Sequence, residues 1–483
     1  MNAAAFDDCQ ITGVTCDSRD VQPGYLFAAI PGAVADGRRF IPDAIGRGAV
    51  AVLAPPGTRL DPPESQIPLI IHDNPRRQYA LMAARFFAAQ PKTVAAVTGT
   101  NGKTSVVSFL RQIWDRQNVA CASAGTLGVT LGGFKDGEAP KLQHAINLTT
   151  PDPADLHRSL GELAGHGIDH LALEASSHGL AQYRLDGVRV AAVGFTNLTR
   201  DHLDYHGGMD GYLGAKLRLF SEIVADDGAA VVNADAAHGE AFIDAAKGRG
   251  LRLLTYGRTA SDIVVRGLTP DGTALMLELD VLGQRRQLRL PLPGAFQAAN
   301  AMAALSLAVA TGIAPDAAMA ALENLSGVPG RVELIGNRSN GAAVYVDYAH
   351  TPDALESVLT TLRPHARGRL HVVFGCGGDR DAGKRPEMGA IAAAAADRII
   401  VTDDNPRGED AASIRKQILA ACPDAAEIGD RAAAVEAAVG GLAAGDILVV
   451  AGKGHETGQI VGDETRPFDD AEVIRSVLGE AGA

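Results

Sequence analysis

Gly99-Thr100-Asn101-Gly102-Lys103-Thr104-Ser105 has the residue types and spacing of a loop that cradles phosphate. It follows the β-rich run Thr93 to Val97 and precedes Val106 to Trp114, where apolar residues recur at helical spacing. Glycines let such a loop curl so that successive N–H groups face phosphate oxygens, and the following helix start adds partial positive charge. Lys103 is placed to neutralise a terminal phosphate, and the Thr104 hydroxyl to ligate Mg²⁺. The strict pattern wants glycine where Val97 stands; here Gly99 lies closer in.

Three further features lie downstream. Glu174 closes the run His170–Leu173 and leads into Ala175-Ser176-Ser177-His178-Gly179. Arg200-Asp201-His202-Leu203-Asp204-Tyr205-His206 follows the next apolar run, and Lys216 sits in Ala215-Lys216-Leu217-Arg218. A carboxylate at a strand end beside a phosphate loop suits Mg²⁺, which prefers oxygen ligands. His202 offers a second metal a less usual imidazole partner. Lys216 alone would read as a solvated helix lysine.

These residues need a scaffold, and the rest of the chain supplies one. Apolar runs at His170–Leu173, Val190–Phe195, Ala229–Asn233 and Arg252–Tyr256 alternate with helix-like stretches, the pattern of a parallel α/β sheet covered on both faces. A β-hairpin is expected around Thr269-Pro270-Asp271-Gly272, and two Ala-rich helices between Ala299 and Leu325. A second doubly wound unit is expected from Val344–Val346, Leu370–Phe374, Arg398–Thr402 and Ile447–Val450. Ligands of such sheets sit at the carboxyl ends of strands. At 483 residues several domains are expected, with boundaries near Pro91 and Gly330: 1–90, 91–330 and 331–483.

Composition excludes other classes. The formal net charge of −13 argues against a general nucleic-acid binder. No apolar run is long enough to insert in a membrane, and Met1 to Gln10 lacks the features of a secretory signal. Five scattered cysteines suggest neither a disulfide framework nor a zinc site, so a cytoplasmic location is expected.

Taken together the motifs resemble the Mur ligase family, ATP-dependent enzymes that add amino acids to the peptide stem of bacterial cell-wall precursors. The resemblance is carried by the phosphate loop, Glu174 to Gly179, Asn197 to His206, Asp347-Tyr348-Ala349-His350-Thr351-Pro352-Asp353 and Gly452-Lys453-Gly454-His455-Glu456. It implies three α/β domains: an N-terminal one for a uridine nucleotide, a central P-loop ATPase with a parallel sheet, and a C-terminal Rossmann-like one for the incoming amino acid. It implies ATP and Mg²⁺ as cofactors, with catalytic roles for Lys103, Glu174, His202 and Lys216. Thr104 and Glu174 would belong to one metal and His202 to another, while Lys216 matches a lysine that carries a CO₂-derived carbamate and so becomes a metal-holding anion. Asn300, Arg331 and Asp347 match nucleotide positions that close over ATP. Ser18, Ala33, Val34 and Ala35 match contacts to the uridine nucleotide. Thr149, Thr150, Ser176, Gln182 and Arg184 would line the path to the dipeptide end of UDP-N-acetylmuramoyl-L-alanyl-D-glutamate. Many relatives carry histidine where this chain has Ala33, so any contact there would come from backbone.

Within the family, Asp404-Asn405-Pro406-Arg407 resembles the tetrapeptide associated with meso-diaminopimelate. Arg380 and Arg407 suit its carboxylates through forked hydrogen bonds, and Glu456 suits an ammonium, with Gly452 at the same strand end. Asp73-Asn74-Pro75-Arg76 repeats the tetrapeptide early in the chain, where it reads as an ordinary helix start. The expected reaction is addition of meso-diaminopimelate through an acyl phosphate, by a monomer. Addition of L-lysine, or nucleotide-dependent binding without catalysis, stands as the alternative.

Overall fold

The computed structural model describes residues 11–32, 35–60, 65–135, 138–144 and 149–480. Ala33 and Val34 lie outside them. The chain divides into two compact units, Met1–Val264 with Met302–Ala318, and Val265–Ala301 with Met319–Ala483.

The first unit holds two sheets. The smaller contains β1 (Gly13–Thr15), β2 (Tyr25–Ala28), β3 (Ala51–Ala54) and β4 (Leu69–Ile71), parallel and in that order. The larger is built from β5 (Thr93–Thr98), β6 (Cys121–Gly125), β7 (Gly128–Gly132), β8 (His170–Glu174), β9 (Val190–Phe195), β10 (Val224–Asn233) and β11 (Arg252–Gly257). Their order is β11-β10-β9-β5-β8-β6-β7, parallel except for the hairpin of β6 and β7. β5 is buried from Val94 to Thr98, as a continuous apolar run flanked on both sides should be. Its neighbours β8 and β9 were legible from the same pattern. β10 starts at Val224, five residues before the apolar run begins. Exposed Asp226 and Asp227 interrupt the pattern there, and the pairing with β9 shifts register between Val224 and Ala229.

The second unit is built on a sheet of six strands: β15 (Glu333–Asn337), β16 (Ala343–Asp347), β17 (Leu370–Phe374), β18 (Arg398–Val401), β19 (Ala426–Glu427) and β20 (Ile447–Ala451). The order is β15-β16-β20-β17-β18-β19, with β15 alone antiparallel. Buried Leu355, Leu359, Met388 and Ile418 pack one face, and Val435, Val439 and Ile474 the other. The same unit carries an antiparallel ribbon formed by the distal part of β12 (Ile263–Asp271), β13 (Ala274–Val281) and β14 (Gln284–Leu290). β12 runs on through Pro270 and turns at Gly272; β11 pairs only with Ile263 and Val264, so the missing N–H of Pro270 breaks no bond to it. The Ala-rich helices span Ala295–Ala310 and Pro315–Leu322, the first beginning four residues ahead of the expected start. A two-stranded ribbon, β21 (Gly458–Val461) and β22 (Glu464–Pro467), follows β20.

Candidate active site

The phosphate loop leaves β5 and enters the helix Lys103–Arg116 through Gly102, whose φ of +88° suits glycine. Gly99 sits at φ +151° against Thr196, and a Cβ there would collide with the threonine hydroxyl. The end of β9 grips the loop. The Thr196 hydroxyl donates to the Asn101 carbonyl at 2.6 Å, Asn101 N–H donates to Asn197 Oδ1 at 3.0 Å, and Thr100 N–H donates to the Asn197 carbonyl at 2.8 Å. Thr196 was not singled out from sequence, and Asn197 only as part of a motif. Their role depends on β9 lying beside β5, which no local pattern reveals.

Two lysines converge on this loop. Lys103 Nζ donates to the Gly99 and Thr100 carbonyls, each at 2.9 Å. Lys216, on the helix Met209–Arg218, is 1% exposed and donates to the same Gly99 carbonyl at 2.7 Å. Its Nζ lies 4.5 Å from the centre of the Tyr212 ring, whose hydroxyl is 3.1 Å from Thr100 Oγ1. Burial, then the neighbouring Lys103, lowers the Lys216 pKa to about 6. A lysine so placed is largely neutral at neutral pH, with a lone pair to offer. This is no solvated helix lysine.

Glu174 ends β8 and is 1% exposed. Its two oxygens accept from Thr126 N–H at 2.9 Å and from the Thr126 hydroxyl at 3.1 Å. Thr126 Oγ1 is also 3.0 Å from Thr149 Oγ1, and the Thr150 hydroxyl donates to the Glu174 carbonyl at 3.2 Å. Ser176 caps the short helix Ser177–Ala181 and donates to Thr150 Oγ1 at 3.0 Å. Arg184 donates to the Thr150 carbonyl and to Gln182 Oε1, both at 2.7 Å. Thr149, Thr150, Ser176, Gln182 and Arg184 therefore form one bonded group with Glu174. Beside the smaller sheet, Ser18 opens the 3-10 turn Ser18–Asp20 and is buried, and Ala35 stands in a loop. The two groups are linked indirectly, because Asp152 accepts from Cys16 Sγ at 3.2 Å and from the Tyr79 hydroxyl at 2.7 Å.

His202 is in the left-handed region at φ +51°, with its side chain half exposed. It packs edge-on against His178 at 4.7 Å between centres, and His178 lies 4.1 Å from the Tyr205 ring and 5.4 Å from His206. Burial, then the charge of its histidine neighbours, holds His178 and His206 below the usual imidazole range. Among the described residues no three His, Cys, Asp or Glu side chains are gathered as a metal cage. Glu174 and His202 therefore belong to no closed protein cage among the described residues.

In the second unit, Asn300 is buried and donates to Gln297 Oε1 at 3.2 Å; Gln297 in turn donates to the Arg331 carbonyl at 3.0 Å. The Arg331 guanidinium lies 4.8 Å from the centre of the Tyr348 ring. Asp347, at the end of β16, accepts from Val332 N–H at 2.7 Å and Ala349 N–H at 2.8 Å. Burial raises its pKa to about 6.

The amino-acid candidates meet at the carboxyl ends of β17, β18 and β20. Lys453, wholly buried, donates to Asn405 Oδ1 at 3.1 Å, Glu456 Oε2 at 3.0 Å and the Gly458 carbonyl at 2.6 Å. Asn405 Nδ2 donates to Glu456 Oε2 at 2.9 Å, and its Oδ1 also accepts from Ile460 N–H at 2.9 Å. Arg407, at φ +52°, donates to the Gly378 carbonyl at 3.0 Å. Arg380 is exposed and bonds only the neighbouring Asp379 carbonyl among the described residues, at 3.0 Å. Both arginines lie beside Gly377, where a Cβ would meet Arg407 Nη1 and approach the Arg380 stem. Asp404 and Pro406 are buried, and Gly452, at φ +115°, passes so close to Asp404 that a side chain would strike its carboxylate. Gln459 of β21 donates to the Asp404 carbonyl at 2.7 Å. Sequence reasoning gave no role to Lys453 or Gln459; the ribbon that carries Gln459 has no chemical signature of its own. Beneath the loops, Arg431 and Asp470 form a wholly buried pair at 2.8 Å, and Arg431 also donates to the carbonyls of Asp403 and Ala451.

Comparison with known proteins fits this geometry. The Mur ligase family catalytic domain profile matches residues 10–86, the Mur ligase middle domain residues 97–308, and the Mur ligase glutamate ligase domain residues 330–454. A UDP-N-acetylmuramoyl-L-alanyl-D-glutamate--2,6-diaminopimelate ligase from Bradyrhizobium diazoefficiens is 53% identical over 97% of this chain and 95% of its own. The enzyme of the same name from Agrobacterium fabrum is 49% identical over 98% and 94%. A solved structure bearing that ligase name superposes with a TM-score of 0.74 at 33% identity, covering 98% of this chain and 96% of the other. The MurF ligase of Thermotoga maritima in complex with ADP shares the fold, with a TM-score of 0.61 at 16% identity over 100% and 99%. The chain belongs to the Mur ligase family.

Proposed function

We propose that this chain is an ATP-dependent ligase that joins meso-diaminopimelate to UDP-N-acetylmuramoyl-L-alanyl-D-glutamate in peptidoglycan precursor synthesis. A carboxylate oxygen of the dipeptide end attacks the γ-phosphorus of ATP, releasing ADP and leaving an acyl phosphate. The amine of the incoming amino acid then attacks the acyl carbon, and collapse of the tetrahedral adduct expels phosphate and a proton as the amide forms. The observation that carries the reading is Lys216 bonded, buried and largely neutral, to the Gly99 carbonyl of the phosphate loop.

Each residue has a task in this scheme. Gly99 to Ser105 wrap the phosphates, and Lys103 leaves the Gly99 and Thr100 carbonyls to meet the terminal phosphate. The neutral Lys216 amine adds CO₂ and releases a proton to become a carbamate, whose remaining N–H continues to face Gly99. Thr104, Glu174, His202 and that carbamate are the groups that would hold Mg²⁺, which when bound offsets the repulsion between carboxylate and triphosphate. Asn300, Arg331 and Asp347 are assigned to the nucleotide, and Ser18, Ala33, Val34 and Ala35 to the uridine end. Thr149, Thr150, Ser176, Gln182 and Arg184 hold the dipeptide. Arg380 and Arg407 bind the carboxylates of the amino acid, while Glu456 takes its ammonium with Asp404, Asn405, Pro406 and Gly452 shaping the pocket. Three domains, 1–90, 91–330 and 331–483, divide these tasks. No described helix is long and apolar enough to cross a membrane, and we place the enzyme in the cytoplasm as a monomer.

The test is ATP-dependent phosphate release with the UDP-linked dipeptide and meso-diaminopimelate, L-lysine or no amino acid. Release and a tripeptide product by mass only with meso-diaminopimelate are expected. Release with lysine would overturn the assignment of Arg380 and Arg407, and no release at all would overturn the catalytic reading.

A further inference from the structure

Between Gln182 and Arg184 stands Tyr183, a bulky residue in the left-handed region at φ +59°. Such a conformation is unfavourable for an aromatic side chain and persists only where its surroundings impose it. The neighbours of Tyr183 face the dipeptide group: Gln182 donates to the Tyr205 hydroxyl at 2.8 Å, and Arg184 to Thr150 and Gln182. The Tyr183 ring instead lies against Arg218, whose guanidinium carbon is 4.0 Å from the ring centre. Arg218 also donates to the Leu180 carbonyl, to both Asp186 oxygens at 3.3 and 3.2 Å, and to Glu222 at 2.9 Å. The Arg218 and Asp186 side chains are 12% and 5% exposed, so the pair is largely out of water. Asp186 accepts further from Arg77 at 2.9 Å, which reaches it from the helix Pro75–Phe87. One largely covered arginine thus bonds both ends of the turn Leu180–Asp186 and stacks on its middle.

We infer that Arg218 is a positioning residue for the dipeptide-bearing substrate: locked by Asp186, it holds Tyr183 in the left-handed conformation that turns Gln182 and Arg184 toward the dipeptide. The inference rests on the assignment of those two residues to the substrate under the proposed function. Arg218 lies two residues beyond Lys216 on one helix, so the clamp fixes the dipeptide contacts in the frame that also carries the catalytic lysine. A guanidinium does this where an ammonium cannot, because its plane stacks on the ring while its edge serves the carboxylate and the carbonyl.

The test is steady-state phosphate release by the full chain, with the KM of each substrate and the Tm measured for every variant. Arg218→Met is expected to raise the KM for the UDP-linked dipeptide about tenfold, a cost typical of small misplacements of a binding group. The KM values for ATP and meso-diaminopimelate should stay within about twofold. Tyr183→Ala, which leaves the Asp186 pair intact and carries the test should Arg218→Met not fold, is expected to raise the same KM. Tyr183→Phe, which keeps the ring, should recover most of it. Equal shifts in all three KM values, or a lowered Tm with no KM change, would reduce Arg218 to a structural role and overturn the inference. Arg184→Ala separates the two levels. An unchanged dipeptide KM there refutes the underlying assignment and the inference with it; a raised KM there without one in Arg218→Met and Tyr183→Ala refutes the positioning role alone.

Discussion

Asp-Asn-Pro-Arg occurs twice in this chain and does two different things. At Asp73–Arg76 it starts a helix: Asn74 is the cap, its side chain accepts from Arg77 N–H at 3.0 Å, and Pro75 takes the first helical position. Arg76 reaches back to the Pro31 carbonyl at 2.5 Å, and Asp73 is exposed. At Asp404–Arg407 the tetrapeptide starts no helix; the next one begins only at Ala411 and is capped by Asp410. The Asn405 oxygen is taken by Lys453 and by Ile460 N–H, its amide nitrogen by Glu456, and Arg407 bridges to Val461 in a left-handed conformation. The same four side chains are a local cap where their own following N–H groups are the nearest donors. They become part of a tertiary loop where a buried lysine and a strand from later in the chain supply the partners first. Distant partners, not the tetrapeptide, decide the outcome.

That contrast can be broken or sharpened by substitution. The largest effect belongs to Arg407→Ala, expected to lower kcat/KM for meso-diaminopimelate about 100-fold through loss of a charge-assisted contact; Arg76→Ala should leave it within about twofold. Equal losses in the two would erase the distinction. Lys453→Met leaves the Asn405 and Glu456 oxygens without their buried cation, and a loss of about 3 kcal/mol in stability is expected by denaturant titration, with a raised amino-acid KM. A loss of stability alone would make the second copy structural as well. A pH effect tests the stabilising role of the first copy. The helix it starts carries Arg77 to Asp186, and the Asp186 carbonyl is 3.3 Å from Nε2 of buried His157, whose pKa burial lowers to about 4. The unfolded chain therefore binds a proton that the folded chain refuses between pH 6.5 and 4. Stability should fall as pH drops through that window, by up to about 3 kcal/mol, and level off below it. His157→Gln should flatten that part of the stability–pH curve. The smallest effect belongs to Asn74→Ala, about 1 kcal/mol from loss of the cap, seen as a modest fall in Tm with every KM unchanged.

Much of the framework was readable before any coordinates, because parallel strands buried on both faces announce themselves as apolar runs; Leu370–Phe374 and Val190–Phe195 were found to the residue. The phosphate loop was legible for a chemical reason, since Gly102, Lys103 and Thr104 must be adjacent to do their work. Lys216 was not legible as a buried residue. Its helix has apolar and polar residues at unremarkable spacing, and its burial comes from that helix packing on the phosphate loop after β5, where its Nζ meets the Gly99 carbonyl and the Tyr212 ring. Thr196, Thr126 and Lys453 escaped for the same reason: each acts on a partner brought near only by strand order. Asp226 and Asp227 concealed the first half of β10, because a strand edge in water needs no apolar signal.

The ion pair of Arg431 and Asp470 has a consequence for anyone trimming or recombining this chain. Arg431 anchors the roots of the loops after β18 and β20 through the Asp403 and Ala451 carbonyls, yet the negative charge that permits its burial comes from the helix Asp470–Glu480. A chimaera that borrows its amino-acid loops from a relative but ends before Asp470 inherits a naked guanidinium under its new pocket. If those loops read the amino acid as proposed, moving them to another chain requires moving the helix Asp470–Glu480 with them.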